Sequence, residues 1–347
     1  MRTRKRVKGF TLVEMMVALL LSLIATSAVL AMYITTSKNI AQDEKHSYLQ
    51  ENSRYALKQI TKDLVIADFW GQMLSPDTIS TSLAVSVNSC ADEVNLYDAS
   101  EAILYNNYHI SPATETFTLC PGIATDRVAN TDVLIIKRVE GSPTATTFID
   151  TNDIDGDSDT TEVITTGGSN LVNGEIYLRT NGIAGSFINT ANPTNLPTTG
   201  EGDWRYIVSA YFIRDHFESP GDGIPALCRM SLLAGNSLGN SETGNVDEPQ
   251  CIAQGVEDLH LEFGIDSDND GYANQYLSAP TVTDLTQVVS AKVHLLIRSS
   301  TQDPGYTNPK TYQLGDVTYA AFNDNYYRRV LSTTVGLRNP TNLALLN

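Results

Sequence analysis

The side chains best placed to do chemistry in this chain are carboxylates. In TNDIDGDSDTTE (151–162), Asp153, Asp155, Asp157, Asp159 and Glu162 recur at near-alternate positions. Counted as a calcium loop of the EF-hand kind, they fall at positions 3, 5, 7, 9 and 12 with Gly156 at 6, but Thr151 holds position 1 in place of an aspartate. In DSDNDGYANQYL (266–277), Asp266, Asp268, Asp270 and Gly271 fit positions 1, 3, 5 and 6, while Leu277 stands at 12 where a bidentate acid belongs. Hard oxygen ligands at this spacing suit Ca2+, which extracellular modules bind at roughly 10⁻⁴–10⁻³ M, better than Mg2+. The same residues also build plain solvated turns. Ca2+ is the only cofactor the sequence offers, and each loop is incomplete in a different place.

Other chemistries lack their residues. The chain has no HExxH, no serine or cysteine in a strand-turn-helix elbow, and no glycine-rich phosphate loop between a strand and a helix. Paired carboxylates could hydrolyse in principle, but abundance alone does not point there. No enzyme activity is expected. Cys90, Cys120, Cys228 and Cys251 form no CxxC pair, and the histidines at 46, 109, 216, 260 and 294 are scattered, so zinc spacing is absent. An even cysteine count in an exported chain suggests two disulfides with three possible connectivities; neighbours in sequence, Cys90 with Cys120 and Cys228 with Cys251, are the expected pairs. The formal charge is −17, although the first nine residues carry five basic groups and no acid; without those five it is −22. A body that acidic offers no footprint for nucleic-acid phosphates.

One carboxylate stands apart. Glu14 is the only charge between Phe10 and Ile34, a run whose 25 residues would rise about 37 Å as a helix, enough to cross a bilayer. A charge at the centre of such a helix costs roughly 2.5–3.5 kcal/mol on insertion scales. The basic residues in front place the N-terminus in the cytoplasm and everything after Ile34 outside. An ordinary secretory signal, cut near Ala25-Thr26-Ser27, has the same order of basic then apolar residues, but its apolar core is shorter and uncharged. Here the run flows, with no Pro or Gly, into a second helical stretch in which Leu49, Ala56, Ile60, Leu64 and Ala67 form one stripe. A single helix from 10 to about 69 is therefore predicted, apolar over 10–34 and amphipathic over 35–70.

Lys8-Gly9-Phe10-Thr11-Leu12-Val13-Glu14 resembles the class III signal of type IV prepilins and type II secretion pseudopilins. The resemblance implies that residues 1–9 are a leader, that prepilin peptidase cuts between Gly9 and Phe10 and methylates the new Phe10 amine, and that Glu14 meets the N-terminal ammonium of a neighbouring subunit on assembly. A buried charge that is costly to leave unpaired would then select register.

After Trp70-Gly71 the pattern changes to short alternating segments between Gly, Asn, Pro and Thr-rich loops. Strands are predicted at 132–140, 175–180, 204–215, 259–265, 288–299 and 327–338. In the fifth, Val293, Leu295 and Ile297 alternate with Lys292, His294 and Arg298, which reads as a half-buried antiparallel strand. The expected fold class is α+β: a long N-terminal helix packed on antiparallel β-sheet, type IV pilin-like, with residues 71–347 as a β-rich periplasmic domain. CIAQGVEDLHLEFGIDSDNDGYANQYL (251–277) and YYRRVLSTTVGLRN (326–339) are similar to PilW-type minor pilins, while residues 71–250 show no motif recognisable from the sequence. That resemblance implies a single-pass inner-membrane protein that later enters an extracellular pilus. Its implied partners are other minor pilins, the major pilin and a PilY-type tip adhesin. The chain would prime assembly for adhesion, twitching motility or DNA uptake. A J-like minor pseudopilin of type II secretion is the alternative, and an exported calcium-binding adhesion module is the alternative of another class.

Overall fold

The computed structural model describes residues 9–73, 76–80, 102–106, 127–150, 162–166, 172, 175–188, 201–231 and 249–339. The chain divides into two compact units, one up to Gln50 and one from Glu51 to Asn347.

Helix α1 runs without interruption over Leu12–Val65, 54 residues, as the absence of Pro and Gly allows. Its N-terminus is closed by a capping box that the spelling Thr-x-x-Glu announces. The apolar residues of its first half face outward: Phe10, Leu12, Leu23, Met32 and Tyr33 are all more than two-thirds exposed. This is one helix long and apolar enough to cross a membrane.

The second unit takes in the last turns of α1 and the sheets. The larger sheet has ten strands: β1 (Ile79–Ser80), β2 (Ile103–Asn106), β3 (Val133–Val139), β4 (Ala145–Asp150), β5 (Glu162–Thr166), β6 (Tyr177–Thr180), β7 (Gly185–Ile188), β8 (Glu201–Arg214), β9 (Ala226–Ser231) and β10 (Gln250–Gln254). The order β1-β7-β6-β8-β3-β2 is antiparallel except for the β1–β7 pair, and the long β8 also pairs with β4 and β9. Its alternation sorts the layers. Trp204, Tyr206, Val208, Ala210 and Phe212 enter an aromatic-rich core with Trp70, Val133, Ile135, Phe187 and Cys228, while Tyr211 turns to the opposite face and donates to Asp63 of α1 at 2.6 Å.

On the helix side, Ala56, Ile60, Leu64 and Ala67 of the predicted stripe are fully buried. Burying a side chain such as Ile60 or Leu64 contributes about 1.5–3 kcal/mol. β3 is accordingly buried at every position but Arg138, because both faces of the sheet are covered. The turn after the helix is held from near the far end of the chain: Asn339 donates from Nδ2 to the Ala67 carbonyl at 2.7 Å.

The smaller sheet follows as β11 (Val256–Ile265), β12 (Gln275–Leu277) and, after the short helix α2 (Val282–Leu285), β13 (Val288–Arg298). A two-stranded hairpin, β14 (Tyr312–Leu314) and β15 (Val317–Tyr319), precedes the last strand, β16 (Arg328–Gly336), and the sheet order is β12-β11-β13-β16. All six strands read from the sequence are present. β13 differs in one respect: it is not half-buried, since His294 and Leu296 on its predicted solvent side are covered along with Val293, Leu295 and Ile297. Leu296 packs with Tyr312 and Leu314, so the inserted hairpin roofs a face whose alternation alone suggested water.

Candidate assembly site

The N-terminal site begins with two exposed residues, Gly9 and Phe10, ahead of α1. A Cβ at Gly9 would meet nothing within 4 Å, and its backbone is not left-handed. The fold among the described residues therefore places no demand for glycine there. Phe10 is 82% exposed. Next to it, the backbone amide and the hydroxyl of Thr11 both donate to Oε2 of Glu14 at 2.9 Å, and the Glu14 amide donates back to Thr11 Oγ1 at 3.2 Å. The reciprocal box satisfies orphan helix donors, and the carboxylate lies at the positive end of the helix dipole. Glu14 thus has partners within its own chain, which the sequence reading did not foresee although Thr-x-x-Glu spelled it.

The other site residues fall as follows. Cys228 and Cys251 are joined in a disulfide, and they are direct cross-strand partners of β9 and β10. Cys90, Cys120, Asp153, Asp155, Asp157 and Asp159 lie outside the described residues, and Glu162 begins β5. Asp266, Asp268 and Asp270 do come together: one carboxylate oxygen from each lies within 4.8 Å of the others. The first of them already serves the turn. Buried Asp266 accepts from the Asp270 amide at 3.2 Å and the Gly271 amide at 2.8 Å. Burial would raise its carboxyl, but these bonds outweigh that and hold it below the usual carboxylate range. Leu277 at the twelfth position pairs with Phe263 across β11 and β12, so a strand occupies the place of the missing acid.

Structure explains why the C-terminal segments are spelled as they are. Gly255 joins β10 of the large sheet to β11 of the small one. It has φ +80°, and an added Cβ would lie 2.5 Å from the Arg298 carbonyl oxygen, a place only glycine fills without strain. Its own amide and carbonyl are used, the first donating to Pro225 O at 2.6 Å and the second accepting from Arg298 N at 2.8 Å. Asn339 of the closing Leu-Arg-Asn is the residue that holds the turn after α1.

Two buried polar clusters were invisible in the sequence because their members are far apart in it. Asp63 sits between the Arg138 guanidinium at 3.1 Å and the Tyr211 hydroxyl. His260, fully buried on β11, lies between Asp132 and Asp316, each 2.8 Å from a ring nitrogen, and the Tyr105 hydroxyl donates to Asp132. Burial pulls the His260 imidazole down, but the two carboxylates outweigh it and raise it above its ordinary value. Across the strand pair, His294 contacts Ser332 at 2.7 Å and Glu262 at 3.1 Å, and burial lowers it. These clusters tie elements together.

Residues 4–30 match the family described as the prokaryotic N-terminal methylation motif, and residues 210–339 match Type IV Pilus-assembly protein W. No curated protein and no solved structure matches the chain. The first match spans the capping box and the apolar start of α1. The second runs from β8 through the disulfide, the Gly255 joint and the aspartate turn to Asn339. The chain is thus similar to N-terminally methylated proteins at its start and to the pilus-assembly protein W family over its C-terminal part, a pairing consistent with a pilin of the PilW type.

Proposed function

We propose that the protein is a minor pilin of the tip or priming complex that initiates a type IV pilus, a structural subunit and not an enzyme. The observation that carries this reading is the start of α1: an exposed apolar half-helix headed by Gly9, Phe10 and a single carboxylate. In the inner membrane that surface faces lipid; in a filament it faces the helices of other pilins. Prepilin peptidase cuts after Gly9 and methylates Phe10. Other minor pilins, the major pilin and a PilY-type adhesin are the partners, the β domain being outside the cytoplasm. The assembled pilus serves adhesion, twitching motility or DNA uptake.

Mass spectrometry of the N-terminal peptide from a host with a type IV pilus system tests the reading. A chain beginning at methylated Phe10 is expected, and a start near residue 28 or an intact Met1 would sink it. The companion variant is Glu14→Ala, which inserts in the membrane but fails to appear in sheared pili. Normal incorporation would remove the assembly role of the carboxylate. A J-like pseudopilin would pass the first test and be recognised by recovery with a secretion pseudopilus.

A second reading concerns the aspartate turn, favoured by the convergence of its three carboxylates within 4.8 Å. That arrangement suits Ca2+. Calorimetric titration of the full chain with Ca2+ is expected to give a heat that Asp268→Ala with Asp270→Ala abolishes; an unchanged heat would dismiss the site.

A further inference from the structure

β16 is an edge of the small sheet, and the phase of its hydrogen bonds can be read. Leu337 N donates to Val289 O and Ser299 N donates to Tyr327 O, both at 2.9 Å. These pairs share the register that matches Val335 with Ala291, Thr333 with Val293, Leu331 with Leu295 and Arg329 with Ile297. In an antiparallel ladder alternate residues bond the same neighbour. The odd-numbered residues of β16 therefore bond β13, and the amides and carbonyls of Val330, Ser332, Thr334 and Gly336 point away from the sheet.

Nothing among the described residues pairs with those groups. The Tyr312 hydroxyl reaches the Arg328 carbonyl at 3.5 Å, so the inserted hairpin guards the strand as far as Arg328. Beyond it, Ser332, Thr334 and Gly336 are exposed. Natural edges are blunted by shortness, proline, bulges or inward charges. Here nine residues run without a register shift, with no proline, and with charge only at Arg328 and Arg329. The core face also stops short at this edge: Leu331 and Thr333 are half-buried although their cross-strand neighbours Leu295 and Val293 are fully buried.

Charge indicates what fits. Residues 327–339 hold Arg328, Arg329 and Arg338 and no acid, in a chain of net charge −17. Arg328 is buried and paired with Glu257 and Asp324. Arg329 and Arg338, both exposed, flank the open edge and have no ion-pair partner among the described residues. We propose that β16 is a docking edge that accepts an extended segment of another protein chain by strand addition. The added segment is about seven residues long, apolar or β-branched toward Leu331 and Thr333, and acidic at its ends toward Arg329 and Arg338. Main-chain bonds supply the attraction, and the two arginines select an acidic partner. The proposal goes beyond the pilin reading and does not need it.

The probe is the capped peptide Glu-Val-Thr-Val-Thr-Val-Glu added to the full chain in detergent, with amide hydrogen exchange read residue by residue. Without probe, Leu331, Thr333 and Val335 are protected and Ser332 and Thr334 exchange freely. With probe, exchange at Val330, Ser332, Thr334 and Gly336 slows tenfold or more. Thr334→Pro removes an amide that β13 does not use, so it keeps the odd-numbered protection and loses the response. Arg329→Gln with Arg338→Gln weakens it at low salt, and a probe with Lys in place of Glu binds less. No slowing at millimolar probe in a folded chain overturns the proposal. So does protection of the even-numbered amides before probe is added: if it depends on protein concentration the occupant is a second copy, and if it does not the chain covers its own edge.

Discussion

Glu14 accepts two bonds from Thr11 and returns one, so the carboxylate that a filament would use is already engaged in the isolated chain. Under the proposed assembly role, the helix start would give up a cap while the charge gains an ammonium. Thr11→Val removes the hydroxyl from that balance while leaving a β-branched residue, and loss of a threonine cap costs about 1 kcal/mol. Fraying of the first turn, seen as faster amide exchange at Leu12 and Val13 in micelles, is the expected result. At this scale the sequence was eloquent for residues whose role is local. The Thr11–Glu14 box is spelled by its spacing, and the Cys228–Cys251 pair by nearness in sequence. Asp63 and His260 gave no sign, because their partners lie at 138 and 211, and at 132 and 316.

Among elements, α1 and the six strands were legible because periodicity is a local property: the stripe from Ala56 to Ala67 is buried as its spacing demands. The covering of β13 was not legible, since a hairpin inserted after the strand decides whether Leu296 meets water. The calcium reading of 266–277 shows the same limit. Position counting could place three aspartates but not the β12 strand that takes Leu277. Gly255 is the element-scale joint. Gly255→Ala combines a left-handed backbone with a carbonyl 2.5 Å from the new methyl, and the expected loss exceeds about 1 kcal/mol. Denaturant titration measures it, with the two sheets losing their mutual register first.

For the whole molecule, His260 gives stability a dependence on pH. Its folded pKa is raised above the unfolded value of 6.5, so its contribution is complete below that value and is lost as pH rises through the folded pKa. Asp132, Asp316 and Tyr105 face it, with Glu262 and His294 next in the row. His294 acts in the opposite sense: its lowered pKa means stability lost as pH falls through the range below 6.5. His260→Gln is expected to flatten the alkaline side of a melting-temperature profile and leave the acid side in place. The disulfide offers the second global test, since closing a loop of 23 residues is worth about 3 kcal/mol in the chain-entropy account. Cys228→Ser with Cys251→Ser should lower the unfolding free energy by that order.

The position of that bond also bears on how such chains diversify. Because Cys228 and Cys251 face each other across β9 and β10, the two strands are fastened covalently whatever the length of sequence between them. Lengthening the sequence between two fixed points is inexpensive in any case, about 0.6 kcal/mol for each doubling, and here those points are fastened. The clasp is thus a licence for variation: an insertion between the two cysteines is expected to leave the register of β9 and β10 intact. Sequence there can drift without putting the scaffold at risk.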